Sequence, residues 1–142
     1  MIKKKKLIIF SSLLAVVLIV IIIYLINNSQ ETNRSTGKAV SKNLLVGDWV
    51  RTDASYLVKI IKVNQDRTLD AQYFNPNPIN VGKANWEESN GNLKIIIELR
   101  DVNYPGSIYS LNYLPDRDIL AGDYYQAVEG LTFYVEFTRN SN

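Results

Sequence analysis

The chain has 142 residues, with 16 Lys/Arg against 14 Asp/Glu and neither His nor Cys. Imidazole acid–base work, thiol chemistry, disulfides and His- or Cys-ligated metals are therefore excluded, and no cofactor-binding motif is present. The formal charge of +2 is uneven: four lysines stand at 3–6, whereas from Asn43 onward nine basic residues meet thirteen acidic ones, which argues against a nucleic-acid partner.

Behind the basic tail (1–6), residues 7–26 read LIIFSSLLAVVLIVIIIYLI, with no charge, Pro, Gly or amide. As a helix this run spans about 30 Å, the thickness of a bilayer core, so a single transmembrane helix is expected. It exceeds a signal-peptide core and lacks a small-x-small site after it, which favours a retained signal anchor over a cleaved leader. The lysines then place the N-terminus in the cytoplasm and the rest of the chain outside, periplasmic or extracellular, at a cell membrane crossed once. Residues 27–42 are polar and aperiodic, as expected of a flexible linker.

From residue 43 to 142 the pattern becomes short β-type runs divided by turn residues. Eight strands are expected: Leu45–Thr52, Tyr56–Val63, Thr68–Phe74, Ile79–Glu87, Leu93–Arg100, Ser107–Leu114, Ile119–Tyr125 and Leu131–Thr138. The fifth is clearest, with Leu93, Ile95, Ile97 and Leu99 on one face and only Ile96 breaking the alternation. Pro76 and Pro78 bar residues 75–78 from a central strand, because each removes a donor. The connections are too short for parallel crossovers, so sequence neighbours are antiparallel neighbours. The expected fold is all-β, an eight-stranded antiparallel up-and-down barrel behind one transmembrane helix, with a sandwich or partly open sheet as the alternative. Such a barrel is either filled by side chains or holds one small ligand, and the sequence leaves both open.

Gly47-Asp48-Trp49 opens the first strand as G-x-W. With a meander behind it, the domain resembles the calycin group of avidin-like and lipocalin-like barrels. The resemblance implies a structural role for Gly47, Trp49 and Arg139, the last lying over the Trp near the end of the final strand. Phrases such as YFNPNPI (73–79), LRDVNYPGS (99–107) and GDYYQAVE (122–129) also resemble a group of small, uncharacterised bacterial exported proteins. Neither resemblance brings a settled activity, and two tryptophans are too few for an avidin-type biotin pocket.

Strand counting places the odd-to-even connections at one end, so the loops 75–78 and 103–106 share a rim. Asn75, Asn77, Asp101, Asn103 and Tyr104 are the candidate ligand-binding residues there, with inward aromatic rings for apolar contact. Asp116-x-Asp118 suits a turn better than a Ca²⁺ loop, since the closing Glu of an EF-hand is absent. With no triad residues and no phosphate loop, enzyme activity is not expected. The first functional reading is a membrane-anchored extracytoplasmic module binding a small apolar or amphipathic ligand, an envelope peptide or a glycan. The alternative is a non-catalytic structural or interaction subunit of an envelope complex, with a filled barrel and a protein partner.

Overall fold

The computed structural model describes residues 18–25 and 40–140. The chain divides into two units, Met1–Lys38 and Ala39–Asn142.

In the first unit, residues 18–25 are helical. Among the described residues no helix is long and apolar enough to cross a membrane. This corrects the expected transmembrane helix and signal anchor, and with them the membrane partner, the single-pass topology and the two-sided placement of tail and domain. The rest of the apolar run (7–17 and 26), the basic tail and linker residues 27–39 lie outside the described residues.

The second unit opens with a short 3₁₀ turn, Lys42–Leu45, followed by nine strands. These are β1 (Gly47–Arg51), β2 (Leu57–Val63), β3 (Leu69–Asn75), β4 (Asn77–Ile79), β5 (Val81–Ser89), β6 (Asn92–Asp101), β7 (Tyr104–Leu114), β8 (Ile119–Gln126) and β9 (Leu131–Arg139). They form one sheet in the order β4-β3-β2-β1-β9-β8-β7-β6-β5, antiparallel throughout. A single bridge, Thr68 to Asn85, brings the β3 and β5 sides together. Beside it the Trp86 amide donates to the Arg67 carbonyl at 2.9 Å and the indole Nε1 to the Asn64 carbonyl at 2.9 Å. The result is a nearly closed antiparallel barrel, consistent with a calycin-like fold.

The count of eight becomes nine because Asn77–Ile79, drawn mostly from the expected proline loop, forms a strand of its own that breaks from β5 at Asn80. The Asn80 amide donates to the Asp101 carboxylate at 3.0 Å, and its side-chain amide donates to the Arg100 carbonyl at 2.8 Å. Its own carbonyl accepts from the Arg100 amide at 2.9 Å. These bonds draw the chain from β3, which β4 pairs, to β6, which β5 pairs. Pro78 lies within β4, an edge strand where a missing donor costs little.

Along β6, Leu93, Ile95, Ile97 and Leu99 are buried to within 1 % of complete, and Ile96 lies on the outer face. Full burial of each such side chain is worth about 1.5–3 kcal/mol. Trp49, Tyr73, Tyr109, Leu111, Leu120 and Phe137 fill the space opposite and are as fully enclosed. One end is closed by the chain that leads into β1. There the Trp49 indole donates to the Leu45 carbonyl at 2.9 Å, and its ring meets Tyr113 edge-on at 6.0 Å.

Candidate functional site

The end opposite Trp49 is open. β1 enters it at Arg51, and the Arg51 amide bonds the Tyr56 carbonyl at 2.9 Å to close the first hairpin. β3 turns back there through Asn75 and Asn77, β6 reaches β7 through Asp101 and Tyr104, and β8 reaches β9 through Gln126 and Leu131. Four hairpins therefore share one rim, as an antiparallel meander requires.

Between them lies a cavity of about 440 Å³, lined by Arg51, Asp53, Tyr56, Tyr73, Asn75, Asn103, Tyr104, Tyr124, Gln126 and Phe133 together with Ala54. Its floor is a packed group of tyrosines. The Tyr73 and Tyr109 hydroxyls share a hydrogen bond of 3.0 Å, Tyr109 stacks on Tyr124 at 4.4 Å between ring centres, and Phe137 meets Tyr109 edge-on at 5.5 Å. Below this floor Trp49, Leu111, Leu120 and Phe137 are fully buried and pack the barrel interior.

Burial raises the pKa of Tyr109 to about 12 and pushes that of Tyr73 up further, since neither ring can bring a phenolate into contact with water. The Tyr73 hydrogen bond and Arg51 limit the rise at Tyr109. Both hydroxyls thus remain neutral and suited to hydrogen bonding, not to acid–base exchange near neutral pH.

Arg51 is the charged centre of the cavity. Its guanidinium lies 5.2 Å from the Tyr56 ring centre and 5.7 Å from that of Tyr124, and its side chain is 11 % exposed. Asp53 is 59 % exposed and meets it with Oδ1 2.6 Å from Nε and Oδ2 accepting from Nη2 at 2.9 Å. Although Nε is so close to Oδ1, it is buried with no aligned acceptor. Burial works against the Arg51 charge, but Asp53 and Tyr109 outweigh it and its pKa is raised. The same guanidinium holds Asp53 below the usual carboxylate range.

Of the five candidate residues, Asn75, Asn103 and Tyr104 line the cavity, and the Asn75 side-chain amide donates to the Tyr104 hydroxyl. Asn77 is exposed on β4, outside the lining. Asp101 is turned away to accept from the Asn80 and Val102 amides at 3.0 and 2.7 Å, which lower its pKa in that order. Gly47, Trp49 and Arg139 meet at the closed end, 4.2 Å separating the Arg139 guanidinium from the Trp49 ring centre.

Asp118 accepts from Arg139 Nε at 2.7 Å and from the Tyr113 hydroxyl at 2.9 Å, so it serves the closed end. Among the described residues no group of three or more acidic side chains is arranged to hold a metal ion.

No family model matches this chain, and no curated protein or solved structure matches it either. What the chain can do is therefore argued from the site alone.

Strand counting also brings the Asp53–Ser55 and Gln126–Gly130 turns to this rim, but it does not single out Arg51, Asp53, Tyr56 or Gln126 as binding residues. The signal for Arg51 was its parity: two residues after inward Trp49, it points inward as well. The same rim also carries exposed apolar side chains. Val102, at the β6–β7 turn, is 90 % exposed, and Val128, Leu131 and Phe133 on the β8–β9 hairpin are exposed too.

Proposed function

We propose that this protein is a non-catalytic interaction module: a filled barrel acting as a rigid scaffold, with its open rim as the docking surface for a protein partner. The observation that carries this reading is the solid interior, which leaves recognition to the surface. Val102, Val128, Leu131 and Phe133 supply exposed apolar surface on that rim, and contiguous apolar surface of this kind is the usual mark of an association site. The acidic residues support a non-catalytic role. Asp53 and Asp118 are each tied to an arginine and Asp101 to backbone amides, so none is poised as a general base. The stacking of Arg139 on Trp49 supports a lipocalin-like affinity within the calycin type of barrel.

A second reading, small-ligand binding at the rim, rests on the cavity of about 440 Å³, which lies within the usual range of ligand pockets.

Native mass spectrometry of the full-length chain taken from its own cells separates the two. The interaction reading expects one stoichiometric protein partner, lost in the pair Val128→Asp with Leu131→Asp. A chain that carries no protein but retains a small molecule in both forms would overturn it.

A further inference from the structure

We infer that the open end of the barrel is an acceptor site for a carboxylate, with Arg51 as the receptor and Asp53 as a displaceable stand-in for the ligand. This rests on neither docking reading and holds whether the carboxylate is free or belongs to a partner chain.

Three observations carry it. First, Arg51 is fixed. The rings of Tyr56 and Tyr124 flank its guanidinium, its side chain is 11 % exposed, and its backbone amide is tied to the Tyr56 carbonyl. A cation so placed cannot swing out to recover its hydration, so its charge must be met within the cavity.

Second, the partner that meets it is a weak one. Asp53 stands on the exposed turn two residues later and is mostly in solvent. Only the Arg51 side of the pair is buried: water solvates the exposed carboxylate nearly as well as the guanidinium does, so Asp53 gives up little on leaving. The geometry is also incomplete: Nε is buried without an aligned acceptor even though Oδ1 is 2.6 Å away. A carboxylate not tethered to the next turn can align both oxygens with the guanidinium edge, the arrangement in which Arg–carboxylate pairs are strongest.

Third, space and donors are already there. The cavity beside Arg51 holds about 440 Å³, and the side-chain amides of Asn75, Asn103 and Gln126 line it with the Tyr104 hydroxyl. Apart from Asp53, no acidic side chain lines it to repel an anion.

The test is titration of the ¹⁵N-labelled full-length chain with sodium propionate, at constant ionic strength held with sodium chloride. Saturable shifts at the Arg51 Nε–H and at the Asn75, Asn103 and Gln126 side-chain amides are expected, with at least tenfold tighter binding in Asp53→Asn and none in Arg51→Gln. Asp53→Asn changes an exposed residue and keeps the fold testable if Arg51→Gln does not fold. No saturable shift in either wild type or Asp53→Asn overturns the inference, as does equal response to chloride alone. An acetylated tetrapeptide acid and its amide identify the source: acid-only binding tighter than propionate assigns the site to a chain terminus, and equal affinity assigns it to a free carboxylate. Val128→Asp with Leu131→Asp leaves propionate binding intact, so failure of the protein-docking reading remains distinguishable.

Discussion

The Arg139 guanidinium sits 4.2 Å from the centre of the Trp49 ring and is held there from three directions. Its Nε and Nη2 donate to Asp118 at 2.7 and 3.0 Å, Nη1 to the Val46 carbonyl at 2.7 Å, and Nη2 also to the Leu44 carbonyl at 2.7 Å. The last strand thereby fastens the chain that enters the first. This is also where the first and last strands of the barrel pair, in the middle of the sheet order, since Trp49 and Arg139 are partners in the β1–β9 ladder.

Replacing Trp49 by Ala is expected to cost about 3–5 kcal/mol, because a fully buried indole leaves a cavity and its Nε1–H bond is lost. Denaturant titration measures it. A loss below about 1 kcal/mol would show that the ring is not the closing element.

Two glycines make a graded pair. A Cβ on Gly122 would lie 2.3 Å from the Ser110 carbonyl oxygen, a backbone atom that β7 pairing holds in place. A Cβ on Gly47 would lie 2.5 Å from Nη1 of Arg139, the end of a side chain that can retreat. Both residues also have positive φ, at 156° and 146°. Gly122→Ala is therefore expected to destabilise more than Gly47→Ala, and Gly47→Ala to lose the Arg139 contact while keeping the barrel. The reverse order in thermal melts counts against this account of the β7–β8 approach.

Asp118 is held below the ordinary carboxylate range by its hydrogen bonds with Arg139, with Tyr113 adding to the effect and burial opposing it. A depressed folded pKa means stability that is present above the unfolded value and is lost as pH falls through the folded one. Because the side chain is 45 % exposed, the contribution is discounted to about 1 kcal/mol or less. Asp118→Asn should flatten the acid limb of a stability–pH curve below the usual carboxylate range, and an unchanged limb would remove this ion pair from the account.

The buried tyrosines act at the other extreme. A raised pKa means stability fully present below the unfolded value of about 10 and lost as pH rises through the folded one. Tyr109, with its pKa raised to about 12 by burial, should titrate late in ultraviolet absorbance and only as the barrel opens. Tyr73→Phe breaks the shared hydrogen bond and should cost about 0.5–1.5 kcal/mol. A Tyr109 phenolate, followed by its own ring resonances, at about pH 10 in the folded protein would contradict the packed floor.

The barrel was largely legible in the sequence because its cause is local: alternation along β6 and β9 and connections too short for crossovers. The division at Asn80 was not, since the groups that cause it, Arg100 and Asp101, lie about twenty residues further on. Asp101 was read as a rim ligand for the same reason; its partner amide comes from Asn80, which no local pattern links to it. Arg51 was passed over because charge reads as surface, although strand parity places it inward. In the N-terminal run, apolar length alone points to a span, whereas among the described residues no helix is long and apolar enough to cross a membrane.

The central claim is that recognition belongs to the open rim of a solid barrel. Its most direct test is photo-crosslinking in the native cell with a benzophenone residue at Val128, beside the same residue at Asn90, on the β5–β6 turn at the other end. The account predicts crosslinking to one protein from position 128 and none from position 90. Equal capture at both positions, or none at 128 while a small molecule co-purifies with the barrel, would contradict it.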